Sequence, residues 1–266
     1  MKPKNNLFLT SITCLILFIT FQENVFSQDA SKKIYQCAPC GCDSDGKHFD
    51  KPANCKDCGM KLVAVAKPFN YLKNLEKPLN VAILLFSHAQ VLDYAGPNDV
   101  FTSAGSKNFN VYTVGATKAP IITMPNLSVN PQYSIFDSPK PDILIIPGGM
   151  WSSVDAATLK WIKKHSKQAD YTFSICTGAF ILAKIGVLDN LEATTHTAGI
   201  EILRKNYPSI KKVHNNKRFV DNGKVITSAG VAAGIDASFH LIEKILGKEW
   251  VKAVSNNLEY TYKPSK

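Results

Sequence analysis

Residues 171–183 read YTFSICTGAFILA and join a strand-like run to a helix-like run at one cysteine. The run Tyr171 to Ile175 predicts a buried strand, and Thr177 to about Ile185 predicts a helix. A sharp strand-to-helix turn projects its central side chain above the carboxyl edge of a parallel sheet, where open α/β sheets hold their ligands. Cys176 occupies that turn, and the helix N-terminus is expected to lower its pKa and favour a thiolate nucleophile. The alternative is an inert buried cysteine, which is common in protein cores.

The alternation of strands and helices continues outward from this turn. Continuous apolar runs predict buried parallel strands, and the segments between them predict helices. The predicted strands are Val81–Phe86, Val111–Val114 and Asp142–Pro147, and the predicted helices are Asp99–Ala104 (opened near Gly96-Pro97), Val154–Ser166 and Ile235–Leu246. The turn 221–223, with a strand on each side, is a hairpin signal. The pattern predicts an α/β fold: a doubly wound, mostly parallel, flavodoxin-like sheet with helices on both faces.

The amino-acid composition excludes some classes of protein and argues against a nucleic-acid partner. The chain has 266 residues, of which 45% are hydrophobic and 20% charged, so disorder and a polytopic membrane protein are excluded. The net charge is +10, but only Arg204 and Arg218 among the 31 basic residues are arginine. The lysines are scattered and form no aromatic-interleaved stripe, so we expect a solvated surface and no nucleic-acid partner.

The N-terminus has the features of an export signal. Lys2 and Lys4 precede an apolar run, Leu7 to Phe21, and a candidate cleavage site follows at residues 25–27, which read Val-Phe-Ser. The run has 15 residues, which is short for a membrane-spanning helix. We therefore expect residues 1–27 to be a cleaved signal peptide and the protein to be periplasmic or extracellular. An uncleaved signal would tether it to the membrane, and lipidation at Cys14 is disfavoured because Cys14 lies inside the apolar run.

Five cysteines cluster after the signal, in residues 28–66. They are Cys37, Cys40, Cys42, Cys55 and Cys58. The pairs 37/40 and 55/58 have Cys-x-x-Cys spacing, which directs two thiolates to one point and is typical of zinc-ribbon sites. So short a segment cannot bury a sufficient core, so a metal ion or disulfides must hold it together, and the odd number argues against disulfides alone. Residues 67–78 are expected to be a linker, and residues 79–266 the α/β domain.

The cysteine-rich segment resembles the heavy-metal-binding domains found beside metal efflux proteins. The resemblance rests on the opening Tyr35-x-Cys37 and on the closing run Pro52 to Leu62, which reads PANCKDCGMKL. The family usually has Met-His-Pro soon after its first cysteine, whereas this chain has Ala-Pro-Cys-Gly-Cys at residues 38–42. The resemblance implies a zinc or copper ion, with Met60 as a soft thioether that suits copper, and a metal-handling partner for the module.

The α/β segment resembles the ThiJ/PfpI superfamily, which has the class I glutamine-amidotransferase-like fold, and within it the isonitrile-hydratase branch. Four stretches carry the resemblance, in the order that the family has them: residues 91–101 (VLDYAGPNDVF), 145–149 (IIPGG), 175–183 (ICTGAFILA), and 193–196 (ATTH) followed by 226–231 (ITSAGV). The resemblance implies that Cys176 is the nucleophile and that Asp93 is its acid/base. It also implies a small-molecule substrate, a homodimer and no cofactor for catalysis.

The remaining site residues have weaker support. Thr177 replaces the histidine of the peptidase-like branch, and a hydroxyl orients a substrate but is no base at neutral pH. The backbone N–H groups around Gly149 and Thr177 are candidates for an oxyanion cradle, and the alternative is that Gly148 and Gly149 are only turn glycines. His196 matches a histidine that lies near the nucleophile in several relatives. The alternative is that His196 has only a structural role. The resemblance thus implies a cysteine-dependent hydratase or hydrolase; the alternatives are a glyoxalase- or deglycase-type activity and a non-catalytic thiol or metal sensor.

Overall fold

The computed structural model describes residues 34–37, 42–44, 47–65 and 72–262, and the chain divides into two units between Ala64 and Val65. The predicted signal peptide, Cys14 and Cys40 lie outside the described residues. No helix in the described ranges is both long enough and apolar enough to cross a membrane. The first part of the predicted linker also lies outside these residues. Its second part packs on the α/β unit, where Leu75 donates its N–H to Asn108 and the Trp250 indole donates to the Lys73 carbonyl.

The first unit is a small sheet built around cysteine side chains. Its strands, in the order β2-β1-β3, are β1 (Ile34–Gln36), β2 (His48–Phe49) and β3 (Val63–Val65), and β1 pairs antiparallel with β2. Its buried core consists of Cys37, Cys55 and Leu62, with the half-buried Tyr35, Cys42 and Phe49 packed against them. Such a core removes little apolar surface from water, so the unit depends on the chemistry of its thiols.

The second unit contains a seven-stranded sheet in the order β13-β14-β10-β9-β4-β5-β8. Its strands are β4 (Leu79–Leu84), β5 (Phe109–Gly115), β8 (Tyr133–Ser134), β9 (Ile143–Ile146), β10 (Tyr171–Ser174), β13 (Phe219–Asp221) and β14 (Val225–Ser228). The pairings are parallel except that β13 runs antiparallel to β14. The central strand β9 is buried on both faces, as its continuous apolar run predicts.

Helices and small accessory strands complete the second unit. The helices are α1 (Val91–Ser103), α2 (Ala156–Gln168), α3 (Gly178–Lys184), α4 (Ile200–Asn206), α5 (Ala233–Leu246) and α6 (Lys248–Asn257). The accessory pairs are β6 (Ile121–Thr123) with β7 (Leu127–Val129), antiparallel, and β11 (Glu192–Ala193) with β12 (Lys212–Val213), parallel. The predicted doubly wound, mostly parallel α/β fold is confirmed.

Helix α1 begins earlier than its sequence predicts. We expected a helix opened near Gly96-Pro97, but both residues lie inside α1, which starts at Val91. The Gly96 position lies against Ile235 of α5, since an added Cβ would be 2.9 Å from its Cγ1 atom. Packing against α5 therefore holds the helix together although Pro97 cannot donate a backbone hydrogen bond. This earlier start places Asp93 in the first turn of α1, facing the interior.

Candidate active site

Cys176 lies in a strained turn between β10 and α3. Its φ is 55°, a conformation that a residue with a side chain adopts rarely and that is common at functional turns. The turn is held by two backbone bonds: the Cys176 N–H donates to Ala229 O (3.2 Å), and the Gly178 N–H donates to Ile175 O (2.8 Å). The predicted strand-turn-helix is therefore present, and it places the thiol at the carboxyl edge of the sheet, where it is only 6% exposed.

Two glycines let the surrounding backbone come close to this turn. A Cβ atom at Gly178 would lie 2.3 Å from the Ile146 carbonyl oxygen, so α3 begins directly against the end of β9. A Cβ atom at Gly148 would lie 2.8 Å from Asp93 Oδ2 and 2.8 Å from Cys176 Cβ. Asp93 and Cys176 therefore approach Gly148 from two sides, in space that a side chain would fill.

Asp93 is fully buried beside the thiol. Its Oδ2 atom accepts a hydrogen bond from the Gly148 N–H (2.9 Å), and its Oδ1 atom has no such partner in the described part of the chain. Burial raises the pKa of Asp93 from 3.8 to about 7, although the Gly148 N–H and the neighbouring Cys176 thiol act in the opposite direction. Asp93 therefore exchanges its proton near neutral pH, as an acid/base group requires.

The pKa of Cys176 is raised, and the expectation of a lowered pKa is wrong. Burial, followed by the negative charge of Asp93, raises it to about 11, while the N–H groups of Thr177 and Val231 lower it by a smaller amount. The helix expected to lower it has only seven residues, so its dipole is weak against the desolvation of the thiol. Cys176 is therefore a thiol at neutral pH and needs a base to become a nucleophile.

Thr177 holds the loop after β9 to the turn. Its hydroxyl accepts from the Gly149 N–H (2.9 Å) and donates to the Gly149 carbonyl (3.0 Å). The Gly149 N–H, expected to be part of an oxyanion cradle, is thus occupied by Thr177, and the Gly148 N–H is occupied by Asp93. Gly149 has φ 127° and packs so closely on the His88 carbonyl that no other residue fits there.

The backbone N–H groups that lower the pKa of the Cys176 thiol are those of Thr177 and Val231. Val231 has φ 46° and lies in the loop between β14 and α5. Val231 lies in the family stretch 226–231, but the sequence predicts no role for it, because a backbone donor carries no side-chain signal. Both N–H groups favour a negative charge on the sulfur, and Thr177 is one of the two residues whose N–H groups were expected to form the oxyanion cradle.

His196 belongs to the same cluster of loops but has a local hydrogen bond. Its ring packs against Gly230, where an added Cβ would be 2.4 Å from Cδ2, and its Nδ1 atom accepts from the Ala198 N–H (3.2 Å). The neighbouring Thr195 hydroxyl donates to the Cys176 carbonyl (2.7 Å). Within the described residues, His196 has no hydrogen bond to Cys176 or Asp93, so its bonding is that of a structural residue at the edge of the site.

A cavity of about 830 Å³ lies elsewhere, beside edge strand β13, and its lining includes Asp221, His240, Lys244 and Tyr262. None of the predicted catalytic residues lines it. Volume alone does not indicate chemistry, whereas the buried carboxyl and thiol beside Gly148 do. We therefore place the candidate active site at Asp93 and Cys176.

The first unit brings four thiols together. The Sγ atoms of Cys37, Cys42, Cys55 and Cys58 all lie within 4.8 Å of one another, and no described cysteine forms a disulfide. The backbone N–H groups of Cys58 and Asp57 lower the pKa of Cys55 to about 6. The expected cluster of ligands is thus present for four of its five cysteines, and Cys40 lies outside the described residues. These four thiols can hold a metal ion.

The profile of the DJ-1/PfpI family matches residues 79–244, which include the turn, Asp93 and the loop of Val231. The chain belongs to the DJ-1/PfpI family. It is 32% identical to isonitrile hydratase of Pseudomonas putida over 70% of this chain and 80% of that protein. It is 29% identical to the transcriptional regulator CdhR of Pseudomonas aeruginosa over 54% of this chain and 43% of the regulator.

Solved structures of the DJ-1/PfpI family have the same fold. A ThiJ/PfpI protein from Pseudomonas syringae superposes with a TM-score of 0.66 at 24% identity, covering 75% of this chain and 81% of that one. DJ-1beta of Drosophila melanogaster superposes with a TM-score of 0.62 at 20% identity, covering 70% of this chain and all of the other. The relatives of this DJ-1/PfpI chain include an enzyme, regulators and DJ-1 proteins, so membership leaves the activity open.

Proposed function

We propose that the α/β domain is a cysteine-dependent hydratase of a small molecule, with an isonitrile as the substrate class. The observation that carries the proposal is the buried pair of Asp93 and Cys176 on either side of Gly148. A carboxyl with a pKa of about 7 beside a protonated thiol supplies both the base and the nucleophile. The similarity to isonitrile hydratase supports this choice of substrate.

The proposed reaction begins with the Cys176 thiol and ionised Asp93. Asp93 takes the thiol proton while the sulfur bonds to the terminal carbon of the isonitrile, and it then delivers that proton to the same carbon. The product is a thioimidate on Cys176. Asp93 then removes a proton from a water molecule that adds to this carbon and delivers that proton to the substrate nitrogen. The carbon–sulfur bond breaks as the new hydroxyl becomes a carbonyl, and the sulfur leaves as a thiolate stabilised by the N–H groups of Thr177 and Val231. Asp93 passes the proton lost by the hydroxyl to the sulfur, so the sum is one water added and one N-substituted formamide formed.

The test is formation of a formamide from a simple alkyl isonitrile. Wild-type protein should turn the isonitrile over, while Cys176→Ala should be inactive because the nucleophile is absent, and Asp93→Asn should lose at least about 100-fold because the proton relay is absent. Asp155→Asn is the matched control, since Asp155 caps α2 through the Thr158 N–H and is not part of the site. Equal turnover in wild type and Cys176→Ala, or turnover by neither, would sink this substrate class.

A thiol sensor is the second candidate function, since several relatives are transcriptional regulators. In that case Cys176 is oxidised or binds a ligand without turnover. Treatment with dilute peroxide, followed by mass spectrometry of the Cys176 peptide, separates the two. Oxidation at Cys176 in a protein that hydrates no isonitrile, glyoxal or glycated amine would favour sensing.

We also propose that residues 1–27 direct export to the periplasm or the extracellular space. The α/β domain forms a homodimer in this proposal. The cysteine-rich unit binds a zinc or copper ion. The charged and apolar N-terminal pattern supports export, and the four neighbouring thiols support the metal. A mature N-terminus at Gln28 in the exported protein would support cleavage, and a full-length cytoplasmic protein would contradict it. Light scattering tests the dimer, and metal analysis of protein purified without chelator tests the metal.

A further inference from the structure

We infer that the cysteine-rich unit holds one zinc ion in a closed site of four thiolates, which are those of Cys37, Cys42, Cys55 and Cys58. The inference rests on the proposed metal binding and makes it specific: it names the ligands, the coordination number and a structural role. From the first segment it names Cys37 and Cys42; Cys40 lies outside the described residues, and its exclusion from the ligand set is part of the proposal that the test below addresses.

The spacing of the sulfur atoms is that of a tetrahedral metal site. Zinc–thiolate bonds are about 2.3 Å long, and the edge of a tetrahedron is about 1.6 times its centre-to-corner distance, which makes neighbouring sulfurs about 3.8 Å apart. Three of the six sulfur–sulfur separations are 3.5 Å for Cys37–Cys58, 3.9 Å for Cys37–Cys42 and 3.8 Å for Cys42–Cys55, and all six are within 4.8 Å. A disulfide would require a separation of about 2 Å. The four thiols are therefore placed for an ion between them and not for bonds to one another.

The backbone around Cys55 and Cys58 is shaped as a metal-binding turn. The Gly59 N–H donates to the Cys55 carbonyl (2.9 Å), the Cys55 N–H donates to the Met60 carbonyl (2.7 Å), and Gly59 has φ 74°. Gly59 thus supplies the positive φ that lets the chain leave the turn while both thiols face the same point. The side chain of Met60 is 39% exposed, so a thioether contribution from it is not needed to complete the site.

Four sulfurs fill a tetrahedron and leave no open position, which is the arrangement of structural and not of catalytic zinc. The buried core of the unit consists of Cys37, Cys55 and Leu62, so two of its three members are ligands. A unit whose core is its metal site folds only when the ion is bound. A saturated, fold-supporting site also does not suit transfer of the ion to a partner, so we assign it to holding the N-terminal unit together.

The test uses the full chain purified without chelator. Metal analysis should find one zinc per chain, and X-ray absorption at the zinc edge should find four sulfurs at about 2.3 Å with no nitrogen or oxygen. Cys40→Ser should keep both results. Cys42→Ser should lose one sulfur or all of the zinc, while the thermal unfolding of the α/β unit stays unchanged as a check on folding.

The possible results distinguish failure of the closed four-sulfur site from failure of metal binding itself. Three results would each overturn the closed zinc site while leaving metal binding intact. They are metal bound through three or fewer sulfurs, iron or copper in place of zinc, and loss of a sulfur in Cys40→Ser but not in Cys42→Ser. Wild-type protein without any metal, with its clustered cysteines oxidised in pairs, would overturn both. The sulfur count of wild type decides the matter even if Cys42→Ser fails to fold.

Discussion

Replacing Asp93 by asparagine should make the protein more stable at alkaline pH while removing its activity. The carboxyl has a pKa of about 7 in the folded chain against an ordinary 3.8, mainly because it is buried. In the unfolded chain it ionises near its ordinary value, so between these two pH values the unfolded state binds fewer protons than the folded state. The free energy of unfolding therefore falls as the pH rises through this window.

The magnitude follows from the shift. Each tenfold change in proton affinity is worth about 1.4 kcal/mol, so the rise in pKa to about 7 corresponds to about 4 kcal/mol lost above neutral pH. Asparagine has no charge to desolvate, and its amide oxygen can still accept from the Gly148 N–H. Asp93→Asn should therefore be close to wild type at pH 4 and about 4 kcal/mol more stable at pH 8.

Urea unfolding between pH 4 and pH 8, followed by tryptophan fluorescence, measures this difference. Asp137→Asn is a suitable control, because Asp137 is exposed and pairs with Lys118, which lowers the pKa of Asp137 to about 2. Replacing the Asp137 carboxylate should therefore not increase the free energy of unfolding at pH 8. A difference between Asp93→Asn and wild type that is the same at every pH would refute the reasoning. So would an Asp93→Asn variant that is less stable at pH 8.

Three further predictions concern the turn and the proton relay. Gly178→Ala should destabilise the α/β unit by about 3 kcal/mol, because the added Cβ would clash with the Ile146 carbonyl oxygen. The control is Gly105→Ala, which should cost about 1 kcal/mol, because Gly105 has φ 90° but no atom near the added Cβ. Thermal unfolding of the two variants measures the difference. Thr177→Val should lower the free energy of unfolding by about 2 kcal/mol and reduce turnover, because both hydrogen bonds between the Thr177 hydroxyl and Gly149 are lost. Thr177→Ser should keep wild-type stability and turnover, because serine retains the hydroxyl. If the valine and serine variants behave alike, the hydroxyl is not what holds the loop. For isonitrile hydration, kcat/KM should rise with pH up to about 7, because Asp93 must be ionised to accept the thiol proton, and a profile that is flat from pH 5 to 8 would contradict this role.

Local patterns were enough to predict most strands of the sheet and the turn that carries Cys176. The apolar run of β9 and the hairpin at residues 221–223 occur where the sequence predicts them, since burial on both faces and turn chemistry are properties of short segments. Helix α1 was predicted too short because Gly96 and Pro97 are ordinary helix breakers, and only packing against α5 explains why they do not break it. The accessory strands β6 and β7 and the helices α4 and α6 were not predicted.

The sequence alone determined which residue types are available: a cysteine at a strand-to-helix turn, an aspartate in a family stretch, and five clustered thiols. Tertiary structure decided how they act. It buried Asp93 and Cys176 together, which raises both pKa values and outweighs the expected effect of the helix on the thiol. It also occupied the Gly149 N–H with Thr177 and brought the sulfur atoms of four clustered cysteines within 4.8 Å of one another. Desolvation and the convergence of distant loops depend on the packed whole, so no short segment of sequence encodes them.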